Sequence, residues 1–202
     1  MQARSVNLRE HILDVASGLF YKHGVRNVGI DRIIAESGIA RMTLYNHFKS
    51  KDLLIEEYLR RASSRWMKWY AGKIERASEN PRERILAAFS VLDGWFRSRD
   101  YRGCSVTNAM VELADDAHPA AAVKDEYHES LRRLFGGLVS DAGVDDSDEL
   151  VEELIVVLRG AMISALVDGP QGVAARARRT AEHLLDAHLD GKAAAIRRAS
   201  SA

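Results

Sequence analysis

From Gly29 to Lys51 the chain reads GIDRIIAESGIARMTLYNHFKSK, and the second half of that stretch collects side chains able to bind a polyanion. Arg41, Met42, Thr43, Tyr45, Asn46 and His47 stand close together, and Lys51 follows. A cation, hydroxyls, an amide and an imidazole are the groups that hydrogen-bond phosphate oxygens and base edges. Catalytic pairings are missing. The sequence has no G-x-S-x-G, no H-E-x-x-H, no glycine-rich phosphate loop and no C-x-x-C. His183 and His188 stand five apart, a poor spacing for one metal on a helix. An enzyme is therefore the minor reading: no catalytic set, metal site or cofactor is expected, and binding is the chemistry on offer.

The elements that would hold these groups are two short helices and a turn. Ile30, Ile33 and Ile34 share one face of the first helix, while Leu44 and Phe48 lie one turn apart on the second. Both helices can therefore close over one small core. Between them Glu36-Ser37-Gly38-Ile39 forms a turn in which Gly38 takes positive φ without a steric cost and Ile39 drops back into that core. With Leu44 and Phe48 inward, the polar set from Arg41 to His47 faces outward. A plain solvated helix has such a face too, but the turn before it and the helix after it favour binding.

The segment Thr43-Leu44-Tyr45-Asn46-His47-Phe48-Lys49-Ser50-Lys51-Asp52-Leu53-Leu54 resembles the T-L-Y-x-H-F-x-S-K-x-x-L signature of TetR-type one-component transcriptional regulators. The resemblance implies that Tyr45, His47 and Lys51 contact DNA phosphates, with Met42 and Thr43 nearest the bases and Arg41 and Asn46 beside them. Lys51 is unusual on physical grounds as well, because a cation in the first turn of a helix capped by Ser50 opposes the helix dipole. A phosphate partner explains it. Two positions depart from the family pattern. Gly29 and Ala40 stand where the family places Thr or Ser to cap a helix and touch phosphate. Glycine is a tolerable cap and alanine a poor one, a lost cap costing roughly 0.5–2 kcal/mol. Gly29 keeps its place in the DNA-facing set without a side chain.

A formal net charge of zero hides an asymmetry. Residues 1–51 hold eight Lys/Arg against four Asp/Glu, leaving 21 against 25 for the rest of the 202-residue chain. A basic head on an acidic body is the layout of a DNA-binding domain carrying a regulatory domain. The single cysteine, Cys104, makes no internal disulfide and no cysteine-rich zinc site. No run of about 18 apolar residues and no apolar leader occurs, so the expected location is the cytoplasm, with no membrane partner.

Only three prolines and no alternating β-branched runs make the expected fold all-α, with about nine helices. Residues 1–51 form the helix-turn-helix domain, 52–191 a ligand-binding and dimerisation domain, and 192–202 a flexible tail. The first helix is read from Asn7, as a cap with Glu10 in box spacing, to Gly24. A helix of about 28 residues, Ser50 to Ala77, joins head to body. Asn80-Pro81-Arg82-Glu83 starts the next, expected to run to Arg99, and Asp115 to Pro119 reads as a capped helix start rather than a metal cluster. Later helices run from Pro119 to Ser140, from Asp146 to Leu166, and from Gly172 to Leu189.

Trp66, Trp69, Phe89, Trp95, Cys104, Asn108, Tyr127 and Met162 are the candidate lining of an effector pocket, against the plainer reading of core packing. The segment Gly103-Cys104-Ser105-Val106-Thr107-Asn108-Ala109 resembles a G-C-x-x-x-N-A motif of one branch of the same family, and Glu112 beyond it is a further polar anchor. Cys104 is read as a sensor thiol or, more plainly, a buried structural one. Leu154, Leu158, Ala161 and Ala165, with Ala177, Ala181, Leu184 and Leu185, are the candidate dimer interface, since family members dimerise through their last two helices. The resemblance thus implies a homodimeric repressor that reads a palindromic operator and is released by a small molecule. The rival is a helical protein-binding scaffold, in which Tyr45, His47 and Lys51 would have no role.

Overall fold

The structure is a computed structural model that describes residues 2–115, 117–144 and 148–199, with side chains from Asn7 to Leu189. The described residues form ten helices and no strand: α1 Gln2–His23, α2 Ile30–Ser37, α3 Arg41–His47, α4 Lys51–Glu75, α5 Pro81–Ser90, α6 Asp93–Phe96, α7 Ser105–Leu113, α8 Ala121–Asp141, α9 Asp148–Val167 and α10 Val173–Ala199. They group into two compact units. One comprises residues 1–66 with 102–128, the other residues 67–101 with 129–202. α7 and the start of α8 thus fold with the head, and α4 and α8 each run from one unit into the other.

In the first unit Ile12, Ala16, Leu19 and Phe20 of α1, Ile33 of α2, Leu44 of α3 and Leu54, Ile55, Tyr58 and Leu59 of α4 form one buried cluster. Ala109 of α7, Ala120 and Val123 belong to it too, which is why α7 stays with the head. Gly24 ends α1 at φ 86°, its N–H donating to Phe20 O at 2.9 Å. The helix starts at Gln2, ahead of Asn7. Asn7 is therefore inside the helix and exposed, since a cap requires the preceding backbone to be non-helical. Arg61 of α4 ties the bundle together: its guanidinium reaches Asp14 at 2.8 Å, Glu10 at 3.2 Å and Ser17 Oγ at 2.8 Å.

In the second unit Asn80 caps α5, its Oδ1 accepting from Glu83 N at 3.1 Å with Pro81 at the first helical position. The Glu83 carboxylate turns instead to Arg178 of α10, at 3.1 Å, and Arg82 reaches Asp186 at 2.7 Å. α5 stops at Ser90 and does not continue to Arg99. Leu92 N bonds Phe89 O, a tighter step, and a short α6 restarts around Gly94, a poor helix former. Ile85, Leu86, Phe89, Leu92 and Phe96 stay buried across this break. α9 packs on α10, and α10 on α5. α10 continues to Ala199, beyond Leu189 where the apolar stripe ends: it passes through Gly191, and the residues that follow are mostly the strong helix formers Lys, Ala and Arg. The Asp146 start expected for α9 and the Asp116 member of the Asp115–Pro119 cluster lie outside the described residues; α9 begins at Asp148.

Candidate nucleic-acid interface

The turn between α2 and α3 has the expected geometry. Gly38 sits at φ 66°, ψ 23°, its N–H donating to Ile34 O at 3.0 Å, and Ile39 packs partly against the core. Ser37, buried, donates from Oγ to Ile33 O at 2.6 Å, while its own carbonyl is bonded by His11 Nε2 of α1 at 3.0 Å. His11 thereby fixes the angle between α1 and the turn. Its partner lies 26 residues away, so no local spacing signals the contact.

α3 buries Leu44 and turns Arg41, Met42 and Asn46 outward. Met42 is 70% exposed, Arg41 and Asn46 are exposed, and Thr43 and His47 are half-buried. Arg41 is paired across the turn with Asp31 of α2. Tyr45 is half-buried and packs its ring against the core, which leaves the hydroxyl as its polar end. Gly29 and Ala40 cap α2 and α3 with extended backbone and no side-chain hydrogen bond.

Ser50 Oγ accepts from Leu53 N at 3.1 Å, which is the cap expected for α4. Lys51, next in line, donates from Nζ to Arg26 O at 3.4 Å. Partial burial pulls its ammonium below the ordinary lysine range, against the opposing pull of Asp52 and Glu112. A cation that is partly desolvated before any ligand arrives is a strong partner for phosphate.

A helix-turn-helix with these side chains can be compared with known proteins. The family profile described as "Bacterial regulatory proteins, tetR family" matches residues 12–58. The HTH-type transcriptional regulator Rv1255c of Mycobacterium tuberculosis is 32% identical over 178 residues, covering 77% of this chain and 88% of Rv1255c. The chain belongs to the TetR family of transcriptional regulators. The HTH-type transcriptional repressor DhaR of Mycobacterium sp. (strain GP1) is 25% identical over 128 residues, and the match spans 63% of this chain and 60% of DhaR's length. Among solved structures, the TetR-family regulator SCO4454 of Streptomyces coelicolor superposes with a TM-score of 0.79 at 30% identity, covering 89% of this chain and 94% of SCO4454.

In this TetR-family chain the eight expected pocket residues divide between the units. In the first, Trp66 meets Tyr127 edge-on at 5.9 Å, Cys104 is buried at the start of α7, and Asn108 Nδ2 donates to Arg102 O at 2.6 Å. Asn108 thus holds the loop before its own helix. In the second, Trp69 and Trp95 lie 6.1 Å apart, Trp95 meets Tyr101 at 4.9 Å, and buried Phe89 packs on Phe135 at 6.1 Å. Met162 is buried and its carbonyl accepts from the Tyr101 hydroxyl at 2.7 Å. A groove of about 380 Å³ in the second unit is lined by Ala77, Ser78, Glu83, Ala87, Ser90, Val91 and Arg178, none of them in the expected set. Glu112, expected as a pocket anchor, lies against Gly24 and Arg26 of the first unit.

The expected dimer stripe requires correction. Leu154, Leu158, Ala161, Ala165, Ala177, Ala181 and Leu185 are buried within the protomer, and Leu184 is half-buried. They join α9 and α10 to their own unit. The large apolar side chains that α9 leaves exposed are Val156, Ile163, Leu166 and Val167. No helix among the described residues is long and apolar enough to cross a membrane, and no group of three or more His, Cys, Asp or Glu among them is placed to hold a metal.

Proposed function

We propose that this TetR-family regulator is a repressor that binds a palindromic operator as a homodimer and releases it when a small effector binds. The observation that carries the DNA half is the outer face of α3, where Met42, Arg41 and Asn46 are exposed over a buried Leu44, with Lys51 beside them at the capped start of α4. Tyr45, His47 and Lys51 take phosphate; Met42 and Thr43 meet base edges; Arg41, once it exchanges Asp31 for DNA, and Asn46 add polar contacts; the backbone at Gly29 approaches closely because no Cβ intervenes. Met42 suits the methyl group of thymine, the apolar feature of the major groove.

For dimerisation, Val156, Gly160, Ile163 and Val167 recur at steps of four, three and four on α9, and the first, third and fourth leave apolar surface in water. Gly160 within that stripe lets a symmetry mate approach. A two-fold pair of heads then reads half-sites about 34–36 Å apart. An effector that binds the operator-incompetent state better by about 1.4 kcal/mol weakens operator binding about tenfold. The aromatic clusters around Trp66 and Trp69 fit a flat, apolar effector.

Selection of bound duplexes from random-sequence DNA tests this reading. A palindrome with half-sites one helical turn apart is the expected product; enrichment of asymmetric sequences, or of none, overturns it.

A further inference from the structure

Arg26, in the loop between α1 and α2, is held at three points. Its backbone N–H donates to Glu112 Oε2 at 2.9 Å, its guanidinium Nη2 donates to Leu113 O at 2.7 Å, and its own carbonyl accepts from Lys51 Nζ at 3.4 Å. The first two partners form the last turn of α7. The third is the cation assigned above to phosphate.

Two backbone features show that this arrangement is built closely. A Cβ placed on Gly24, which has φ +86°, would lie 2.7 Å from both carboxylate oxygens of Glu112, so the carboxylate occupies the space that glycine leaves. Ala114, which ends α7, is the one non-glycine with positive φ among the described residues, at φ 49°. Strained αL backbone of this kind costs about 1–3 kcal/mol and persists only where the surroundings impose it. Here it ends α7 with the Leu113 carbonyl against Arg26.

We propose that Glu112 is a positioning residue for DNA binding: by fixing the Arg26 backbone it sets the carbonyl that aims Lys51 at its phosphate. This rests on the reading of Lys51 as a phosphate contact. An ammonium has three donors, so the bond to Arg26 O leaves two for DNA. The Glu112 charge itself works the other way, since a carboxylate near the interface repels phosphate. The acceptor and the charge therefore have opposite effects on affinity, and two substitutions separate them. Glu112→Gln removes the charge and keeps an acceptor for Arg26 N–H. Glu112→Ala removes both.

The test is operator affinity by fluorescence anisotropy across a salt series, using a duplex selected by the wild-type protein, with thermal melting of each variant alongside. Expected is a Glu112→Gln variant that binds at least as tightly as wild type and a Glu112→Ala variant about five- to tenfold weaker than it, in the range of ordinary coupling between sites. The slope of log K against log salt falls in Glu112→Ala by about 0.9 for each head that loses a phosphate contact. In a Lys51→Ala background, Glu112→Ala no longer weakens binding, and only the relief of charge repulsion remains. Equal affinities for the Ala and Gln variants, or an undiminished effect of Glu112→Ala without Lys51, overturn the proposal and leave the regulator reading standing. If Glu112→Ala melts too early to assay, Glu112→Gln alone decides: binding weaker than wild type contradicts the assigned role. A wild-type protein that enriches no duplex overturns both.

Discussion

The two compact units leave large apolar side chains in water in different ways. On the recognition helix of the first, Met42 stands exposed among Arg41, Thr43, Asn46 and His47. On α9 of the second, Val156, Ile163, Leu166 and Val167 are exposed along one helix. An apolar group amid hydrogen-bonding groups suits a surface that is itself polar with apolar features, such as the major groove. A stripe of aliphatic groups suits another stripe. The same residue class therefore points to DNA on α3 and to a second copy of the chain on α9.

The sharpest way to break that comparison is on α9. Ile163→Glu should convert the dimer to monomer in sedimentation velocity and weaken operator binding about 100-fold, near 3 kcal/mol. Leu158→Ala, on the buried side of the same helix, should do the reverse: lose roughly 2–5 kcal/mol of stability and remain a dimer. If Leu158→Ala dissociates the dimer and Ile163→Glu does not, the faces have been exchanged.

The inner and outer faces of α9 are hard to separate in sequence because from Val156 on the helix is apolar nearly all round, with Arg159 its one charge. Leu154, Ile155, Leu158 and Met162 fall inside, yet Val156, Ile163 and Val167 outside have the same chemistry. Periodicity needs a polar face as contrast. α3 has one, so spacing alone assigns Leu44 and Phe48 inward, and the positive φ of Gly38 follows from its residue type at a turn. Capping chemistry was equally local and legible at Ser50 and Asn80, where the acceptor stands three residues before the N–H it receives. The place of Glu112 is not legible locally because its partner Arg26 is 86 residues distant, and the break after Ser90 is hidden because the buried stripe continues through it. Asn7 failed as a cap for another reason: the sequence before it is also helical.

A second comparison concerns the tyrosines. Burial pushes Tyr58 in the first unit up to about 12, the hydrogen bond with Ser105 opposing it, and raises Tyr70 in the second, whose hydroxyl donates to Ala88 O at 2.8 Å. A phenol whose folded pKa lies above its unfolded value near 10 stabilises the fold fully below that value and loses the contribution as pH rises through the folded pKa. Between pH 10 and 12 Tyr58 should therefore cost the first unit about 2–3 kcal/mol, at 1.36 kcal/mol per unit. Tyr58→Phe should flatten that alkaline limb in chemical denaturation monitored from the first unit. An unchanged limb would assign it elsewhere.

The smallest effects expected are at the caps, and they have opposite signs. Asn80→Ala removes a cap in the second unit and should destabilise by about 1 kcal/mol; Ala40→Ser supplies one in the first and should stabilise by about as much. Thermal melts should move in opposite directions. If Ala40→Ser also tightens operator binding, its hydroxyl has restored a phosphate contact that this chain lacks.

One measurement decides directly whether the outer face of α3 and the start of α4 bind DNA. Fluorescence anisotropy of a selected duplex, at two salt concentrations, compares wild type with Tyr45→Ala and Lys51→Ala. Both variants should fold, bind more weakly, and show a shallower salt dependence, by about 0.9 in log–log slope for each head whose phosphate contact is removed. Folded variants with wild-type affinity and slope would contradict the claim, and the polar face of α3 would then be surface alone.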